Sequence, residues 1–159
     1  MKFLFLPWMI ILLALSMQAQ GAGGGGGGDA GTMAAPADPV IEQANAATER
    51  KDYAAAAAIL RDALAKTPDN ADYHNLYAYA VRKGANPNMD LVFKHYNEAL
   101  RLDAKHRNAH EYIGEAYLMV GNLGKAKEHL ARLDKLCFFP CSQYTDLKKA
   151  VAEYEAKQK

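Results

Sequence analysis

The feature that most constrains the fold of this chain is an internal repeat of paired helical segments. Small residues recur at one place in the first segment of each pair, at Ala44, Ala78 and Gly114, with spacings of 34 and 36 residues. A unit of this length is a helix–turn–helix pair, and a single pair cannot bury its apolar face alone. We therefore predict an all-α fold, an α-solenoid of three helix–turn–helix repeats.

Seven helices are predicted from the apolar periodicity and from the residues that end each segment. Pro68 ends the second helix, while Gly84 and Gly121 end the third and the fifth. Ser142 is predicted to cap the last helix, with Asp146 in its first turn, where negative charge favours the positive end of the helix. The predicted helices span residues 39–50, 53–66, 71–83, 89–102, 108–120, 123–136 and 143–157.

The N-terminal segment has the pattern of a secretory signal peptide. Lys2 supplies a positive charge, residues 3–15 form an uncharged apolar run, and small and polar residues follow as far as Ala22. The 13 residues of the apolar run are fewer than the roughly 20 that cross a bilayer as a helix, although an uncleaved anchor remains an alternative. We expect a signal peptide at residues 1–22, no integral membrane segment after its cleavage, and an exported protein that is periplasmic or secreted.

A glycine-rich stretch separates this segment from the helices. Gly23 to Gly28 are six consecutive glycines, and glycine at this density favours a flexible tether over a folded element. Residues 23–37 are therefore predicted to be a linker, and residues 38–159 the helical domain.

Charge and motif content exclude several classes of function. The 19 Lys and Arg residues nearly balance the 18 Asp and Glu residues, whereas nucleic-acid binders normally carry a basic excess. The chain has no nucleophile elbow, zinc-protease motif or phosphate-binding loop. Glu111 and Glu115 lie one helical turn apart, but such a pair is more often surface charge than an acid–base pair. We expect a non-enzymatic protein that needs no cofactor and binds no nucleic acid.

Two stretches carry a resemblance to a known repeat family. Residues 109–133 read AHEYIGEAYLMVGNLGKAKEHLARL, and residues 50–84 match the family across a repeat junction. In the first stretch the residues at signature places are Gly114, Tyr117, Gly121 and Ala126. The chain resembles tetratricopeptide-repeat proteins, and its segment 133–154 resembles a group of small exported bacterial repeat proteins. The resemblance gives repeats at about 37–70, 71–106 and 107–138, and a capping helix at 142–157.

The resemblance implies a scaffold or adaptor that holds a protein or peptide partner in a concave groove, lined by the first helix of each repeat. Carried over position by position, the groove residues are Asn45, Glu49, Asp72, Asn75, Tyr79, Arg82, Lys83, Asn108, Glu111, Glu115 and Met119. Asn75, Arg82 and Lys83 offer donors that suit a peptide backbone or a carboxylate. The negative charge of Glu111 and Glu115 departs from the carboxylate clamp of chaperone-binding relatives. Asn75→Ala combined with Arg82→Ala is expected to abolish partner capture and to leave helicity intact.

The two cysteines, Cys137 and Cys141, flank Phe138-Phe139-Pro140 at the end of the third repeat. In an oxidising compartment a disulfide is their expected state. A loop this short would mainly fix the angle of the capping helix. A redox-active pair and a metal site remain alternatives, although C-x-x-x-C lacks the usual two-residue spacing of redox motifs.

Histidines are the other candidate metal ligands. His106 and His110 are four residues apart, a spacing that suits zinc or copper on one helix face. However, His74 and His110 hold equivalent repeat positions, which favours packing between repeats, and no metal site is predicted. The alternative function is a metal- or thiol-handling accessory protein of the envelope. Self-association through exposed repeat ends is a third option.

Overall fold

Seven α-helices make up most of the structure, a computed structural model that describes residues 37–139 and 141–158. No strand occurs in these ranges, and each predicted helix is present within two residues of its predicted bounds. The predicted signal peptide, and the predicted linker as far as residue 36, lie outside the described residues. Among the helices described, none is long and apolar enough to cross a membrane. The helices are α1 Pro39–Glu49, α2 Tyr53–Leu64, α3 Ala71–Lys83, α4 Met89–Leu102, α5 Arg107–Met119, α6 Leu123–Leu136 and α7 Ser142–Lys157.

Polar side chains at the helix starts explain where six of the helices begin. One side chain before each of α1 to α6 accepts a hydrogen bond from an amide in the first turn, and so satisfies a donor that the helix leaves unpaired. These capping residues are Asp38, Asp52, Asn70, Asn88, His106 and Asn122.

The last helix begins differently from the prediction. Ser142 is the first residue of α7 and not its cap, because Cys141 holds the capping position and makes no side-chain capping bond. No acidic residue lies in the first turn, so Asp146 is outside it. The predicted disulfide accounts for the difference: Cys141 is bonded to Cys137 at the end of α6, with an S–S distance of 2.02 Å. The disulfide, and not a serine cap, marks the start of α7.

Successive helices pack in adjacent pairs, and the first helices of the pairs also pack against one another. α1 contacts α3, α3 contacts α5, and α5 contacts α7. We call the surface that these four helices form the first-helix face. α2, α4 and α6 each contact the first helices on either side of them. The predicted solenoid of three helix pairs with a capping helix is confirmed.

The recurring small residues lie where helices approach closely. Ala44, Ala78 and Gly114 are all buried. A Cβ atom at Gly114 would lie 2.6 Å from Cδ2 of the fully buried Leu147, so only glycine lets α7 pack this closely on α5. The repeat alignment therefore located the close crossings of helices.

Candidate functional site

The centre of the first-helix face is organised around Arg82 of α3. Its guanidinium is buried, with Nη2 2.7 Å from Oε2 of Glu115 and Nε donating to the hydroxyl of Tyr96 at 3.3 Å. The ring centroids of Tyr79 and Tyr112 lie 5.5 and 5.8 Å from Arg82 Cζ. An ion pair and cation–π contacts in a desolvated setting hold the guanidinium in place. Arg82 thus links α3, α4 and α5 from within.

Asn75, which is predicted to bind a partner in the groove, is buried like Arg82. Asn75 is 2% exposed, and its Oδ1 atom has no hydrogen-bond partner among the described residues. Lys83, in contrast, is exposed at the end of α3. Replacing Asn75 and Arg82 by alanine would remove a buried amide and a buried ion pair, and removing one partner of a buried pair is strongly destabilising. That double variant cannot separate a loss of binding from a loss of folding.

Aromatic and apolar side chains extend the site along the face and to Tyr53 at the start of α2. The ring of Tyr79 lies 4.8 Å from that of Tyr112 and 6.5 Å from that of Tyr53, measured between centroids. We call these three residues the tyrosine row. Met119 is 54% exposed, and its Sδ atom is 3.9 Å from Nη1 of Arg82. Burial raises the pKa of Tyr112 to about 12, so its hydroxyl keeps its proton at neutral pH.

A cavity of about 340 Å³ opens between α5 and α7, next to the Arg82–Glu115 ion pair. We call it the acidic cavity, because carboxyl groups dominate its lining. The lining residues are Glu111 and Glu115 from α5, and Asp146, Lys149, Ala150 and Glu153 from α7.

Glu111 differs from the other acidic residues of this cavity in being buried without a partner. It is only 8% exposed. Among the described residues, Glu115 pairs with Arg82, and Glu153 lies 4.0 Å from Lys149, but no ion pair or side-chain hydrogen bond involves Glu111. Burial, followed by the nearby negative charges of Glu115 and Asp146, raises the pKa of Glu111 to about 7, while the positive charge of Arg82 opposes this rise. Near neutral pH this carboxyl is partly ionised, and the nearby cation Arg82 is already paired with Glu115.

Sequence reasoning found only the α5 side of the acidic cavity. The two glutamates of α5 are among the predicted groove residues, whereas the charged residues of α7, and Tyr112, are not. The spacing of the repeats could have identified the residues of α7. Gln143 follows Asn108, which it contacts, by 35 residues. Asp146 follows Glu111 by the same number of residues. α7 therefore takes the place of a fourth first helix, and its polar residues belong to the same face.

Comparisons with known proteins identify the fold. No family model matches the chain, and no curated protein matches its sequence. The Yersinia enterocolitica type III secretion translocator chaperone SycD matches in structure, with a TM-score of 0.65 and 15% identity, over 75% of this chain and 83% of that one. The Sgt2 TPR domain from Aspergillus fumigatus matches with a TM-score of 0.64 and 21% identity, over 75% and 76%. The chain has the tetratricopeptide-repeat fold.

A second structure of the Yersinia chaperone carries the same fold in a complex. It contains SycD with a peptide of the translocator YopD, and matches with a TM-score of 0.64 and 14% identity, over 76% of this chain and 92% of that one. At such identities the likeness concerns the tetratricopeptide-repeat fold and not the individual site residues.

Other predicted groove residues of the tetratricopeptide repeats lie away from the Arg82 cluster. Asp72 accepts from Nε2 of His106 at 3.0 Å, and Asn108 accepts from Nε2 of Gln143 at 2.7 Å. These bonds connect successive first helices where those helices begin. The predicted groove residues that lie exposed on α1 are Asn45 and Glu49.

The histidines form two equivalent pairs in neighbouring repeats. Nδ1 of His74 lies 2.8 Å from Nδ1 of His95, and Nδ1 of His110 lies 2.9 Å from Nδ1 of His129. The Nε2 atoms of His74 and His110 donate to backbone carbonyls of the preceding turn, at 2.8 and 3.2 Å. His74 and His110 do pack at equivalent places, but their partners lie on α4 and α6, the second helices of the same repeats, so the predicted packing between repeats is corrected to packing within each repeat.

The candidate metal ligands are not brought together. His106 caps α5 and contacts Asp72, whereas His110 pairs with His129. Within the described part of the chain, no group of three or more His, Cys, Asp or Glu side chains is placed to hold a metal ion. The cysteines are bonded to each other, so neither thiol is free in this state.

Proposed function

We propose that this protein is an exported, non-catalytic adaptor that binds an extended peptide, or a segment of a partner protein, along its first-helix face. The observation that carries the proposal is the accessible site on that face. Tyr79 and Met119 are partly exposed, and the acidic cavity is open beside the Arg82 cluster. Exposed aromatic and apolar side chains beside fixed charges are typical of a binding surface.

The structural neighbours support this use of the fold. SycD is described as a chaperone, and one of its structures holds a peptide of the translocator YopD.

The non-catalytic part of the proposal is supported by the state of Glu111 and Glu115. Glu115 is engaged by Arg82, so Glu111 and Glu115 are not a free acid–base pair.

Site-specific photo-cross-linking tests the proposal without disturbing the buried ion pair. A benzophenone amino acid replaces Met119 on the first-helix face or, as the matched control, the exposed Ala131 on α6. We expect a discrete adduct from position 119 and none from position 131 after irradiation in the producing cells, with mass spectrometry identifying the attached chain. Equal adducts from both positions would contradict binding on this face, and an adduct of twice the protein's own mass would indicate self-association.

Export is part of the proposal and has its own test. The N-terminal pattern of residues 1–22 supports it, and so does the Cys137–Cys141 disulfide, because disulfides persist in oxidising compartments. We expect the mature N-terminus to begin near residue 20 or 23 by mass spectrometry, in the periplasmic or extracellular fraction. A full-length chain with reduced cysteines in the cytosolic fraction would refute export.

A further inference from the structure

The acidic cavity contains more negative charge than the protein itself neutralises. Arg82 compensates Glu115 at 2.7 Å, and Lys149 lies 4.0 Å from Glu153. Glu111 and Asp146 then remain, and no described cation pairs with either of them. Asp146 is exposed, whereas Glu111 is buried, and a buried carboxylate is costly unless a cation or a donor reaches it.

Glu111 is the acidic residue of this cavity that packing buries most deeply. More than nine-tenths of its surface is buried, its carboxyl has no partner among the described residues, and it lines the cavity wall. A plain surface glutamate would be exposed and solvated. Burying this one therefore has a cost, which a ligand bringing a donor and a positive charge would offset.

Arg82 shows how a cation is held on this face. Its guanidinium lies against two rings of the tyrosine row and pairs with Glu115. The neighbouring cavity offers further carboxylates, and about 340 Å³ is roughly ten times the volume of one water. That space accommodates a long side chain, and no three-ligand metal cluster exists among the described residues.

We propose that the acidic cavity receives the Lys or Arg side chain of a peptide bound along the first-helix face, with Glu111 and Asp146 as the residues that pair with it. This inference rests on the proposed peptide-binding function and names the chemistry of its ligand.

The proposal also makes the affinity for the peptide depend on pH. Raising the pH from 6 to 8 ionises Glu111 and strengthens binding. The groups that face Glu111 are Arg82 from α3, Tyr112 and Glu115 from α5, and Asp146, Lys149 and Glu153 from α7.

The test begins with a library of random decapeptides displayed on phage. The library is selected at pH 8 for binding to the protein, which is expressed with its own N-terminal segment. We expect a basic residue at one common position of the selected peptides. In the synthetic consensus peptide, norleucine for Lys or citrulline for Arg should weaken binding about tenfold or more. The measurement is the dissociation constant from fluorescence anisotropy at pH 6, 7 and 8.

Glu111→Gln combined with Asp146→Asn is the decisive variant, because it keeps the shape of the cavity and removes its charge. In this variant the difference between the basic peptide and its neutral analogue should fall to about twofold, and the pH dependence should flatten. The matched control is Glu128→Gln on α6, where an exposed glutamate is also neutralised, and it should bind as the wild type does. Circular dichroism verifies that both variants fold.

The outcomes separate this inference from the function on which it rests. Selected peptides without a basic residue, or an unchanged affinity for the norleucine analogue, would overturn the cation site and leave peptide binding standing. Calcium binding to the cavity in isothermal titration, abolished by the double variant, would also overturn it, in favour of a metal. No enriched peptide at all would contradict peptide binding itself.

Discussion

Lys51 and Gly121 hold the same place in the first and third repeats, just after the first helix ends. Both have positive φ angles, 60° for Lys51 and 78° for Gly121. In each turn the next amide, of Asp52 or Asn122, bonds to a helix carbonyl five residues earlier, at 2.9 and 2.8 Å. This is the helix ending that favours glycine, because a side chain in the left-handed region meets its own backbone. The first repeat therefore tolerates a strain that the third avoids.

Exchanging these residue types should shift stability in opposite directions. Lys51→Gly relieves the steric cost and should raise the free energy of unfolding by about 1 kcal/mol, whereas Gly121→Ala introduces it and should lower the value by about 1 kcal/mol. Urea unfolding followed by circular dichroism measures both. A drop in stability for Lys51→Gly would mean that the lysine side chain makes a compensating contact.

At the scale of elements, the junction between α5 and α7 depends on a single close approach. A Cβ atom at Gly114 would lie 2.6 and 2.8 Å from the two terminal carbons of Leu147. Leu147 is fully buried with Leu133 and Val151 and cannot move into open space. The small residue at position 114 therefore sets the distance between the two helices that form the acidic cavity.

Gly114→Ala should lower the free energy of unfolding by about 1–3 kcal/mol, because overpacking forces a buried side chain or a helix to shift. The matched control is Gly124→Ala in α6, where the nearest atom to a new Cβ is 3.8 Å away. This control should be neutral or slightly stabilising, since alanine favours helix more than glycine does. Equal losses in both variants would show that packing on Leu147 is not the cause.

The two histidine pairs are equivalent, and each connects the first helix of a repeat to the second helix of the same repeat. When two imidazole nitrogens lie less than 3 Å apart, one must donate a hydrogen bond and the other must accept it, so at least one of the two rings is neutral. Burial, followed by the neighbouring histidine, lowers the pKa of His95 and His129 to about 4. Burial also lowers the pKa of His110. The charged residues near the pairs are Lys94, Glu98, Asp103, Lys125, Glu128 and Arg132.

Acid should weaken the fold through these pairs. As the pH falls from about 6.5 to about 4, the unfolded chain takes up protons that His95 and His129 resist in the folded state, so stability is present above this window and is lost within it. We expect His95→Asn with His129→Asn to reduce that loss by about 1 kcal/mol per pair, because asparagine keeps a donor near the Nδ1 position without titrating. Thermal unfolding at pH 7 and pH 4.5 measures the difference, and an unchanged pH slope would contradict the assignment.

The histidines also show how far the sequence could lead. The repeat alignment predicted correctly that His74 and His110 are equivalent, because equivalent positions face equivalent neighbours, but it predicted packing between repeats where the structure has packing within each repeat. It could not identify His95 and His129 as their partners, 21 and 19 residues away, since no local spacing encodes a contact across two helices. The same limit applies to Arg82: its place on the first-helix face follows from the alignment, whereas its burial against Glu115, 33 residues on, depends on the packing of two repeats.

At the scale of the whole molecule, stability in a solenoid comes mainly from contacts between neighbouring units. α7 is the last of the described helices, and among them it contacts only α5 and α6. It starts without a side-chain capping bond, and the Cys137–Cys141 disulfide connects it to α6. α7 also supplies Asp146 and Glu153 to the acidic cavity. The disulfide therefore stabilises the position of the helix that lines one side of the acidic cavity, and it has no direct effect on the distant repeats.

Replacing both cysteines by serine should consequently act locally. We expect the free energy of unfolding to fall by about 2 kcal/mol, the size of the entropy term for a very short loop. Hydrogen exchange should accelerate in α7 and at the end of α6, while α1 to α4 keep the protection of the wild type. Ser142→Ala is the matched control and should change neither quantity, because Ser142 caps nothing. Faster exchange along the whole chain would mean that the repeats unfold as one unit, and unchanged exchange in α7 would mean that its packing on α5 suffices without the disulfide.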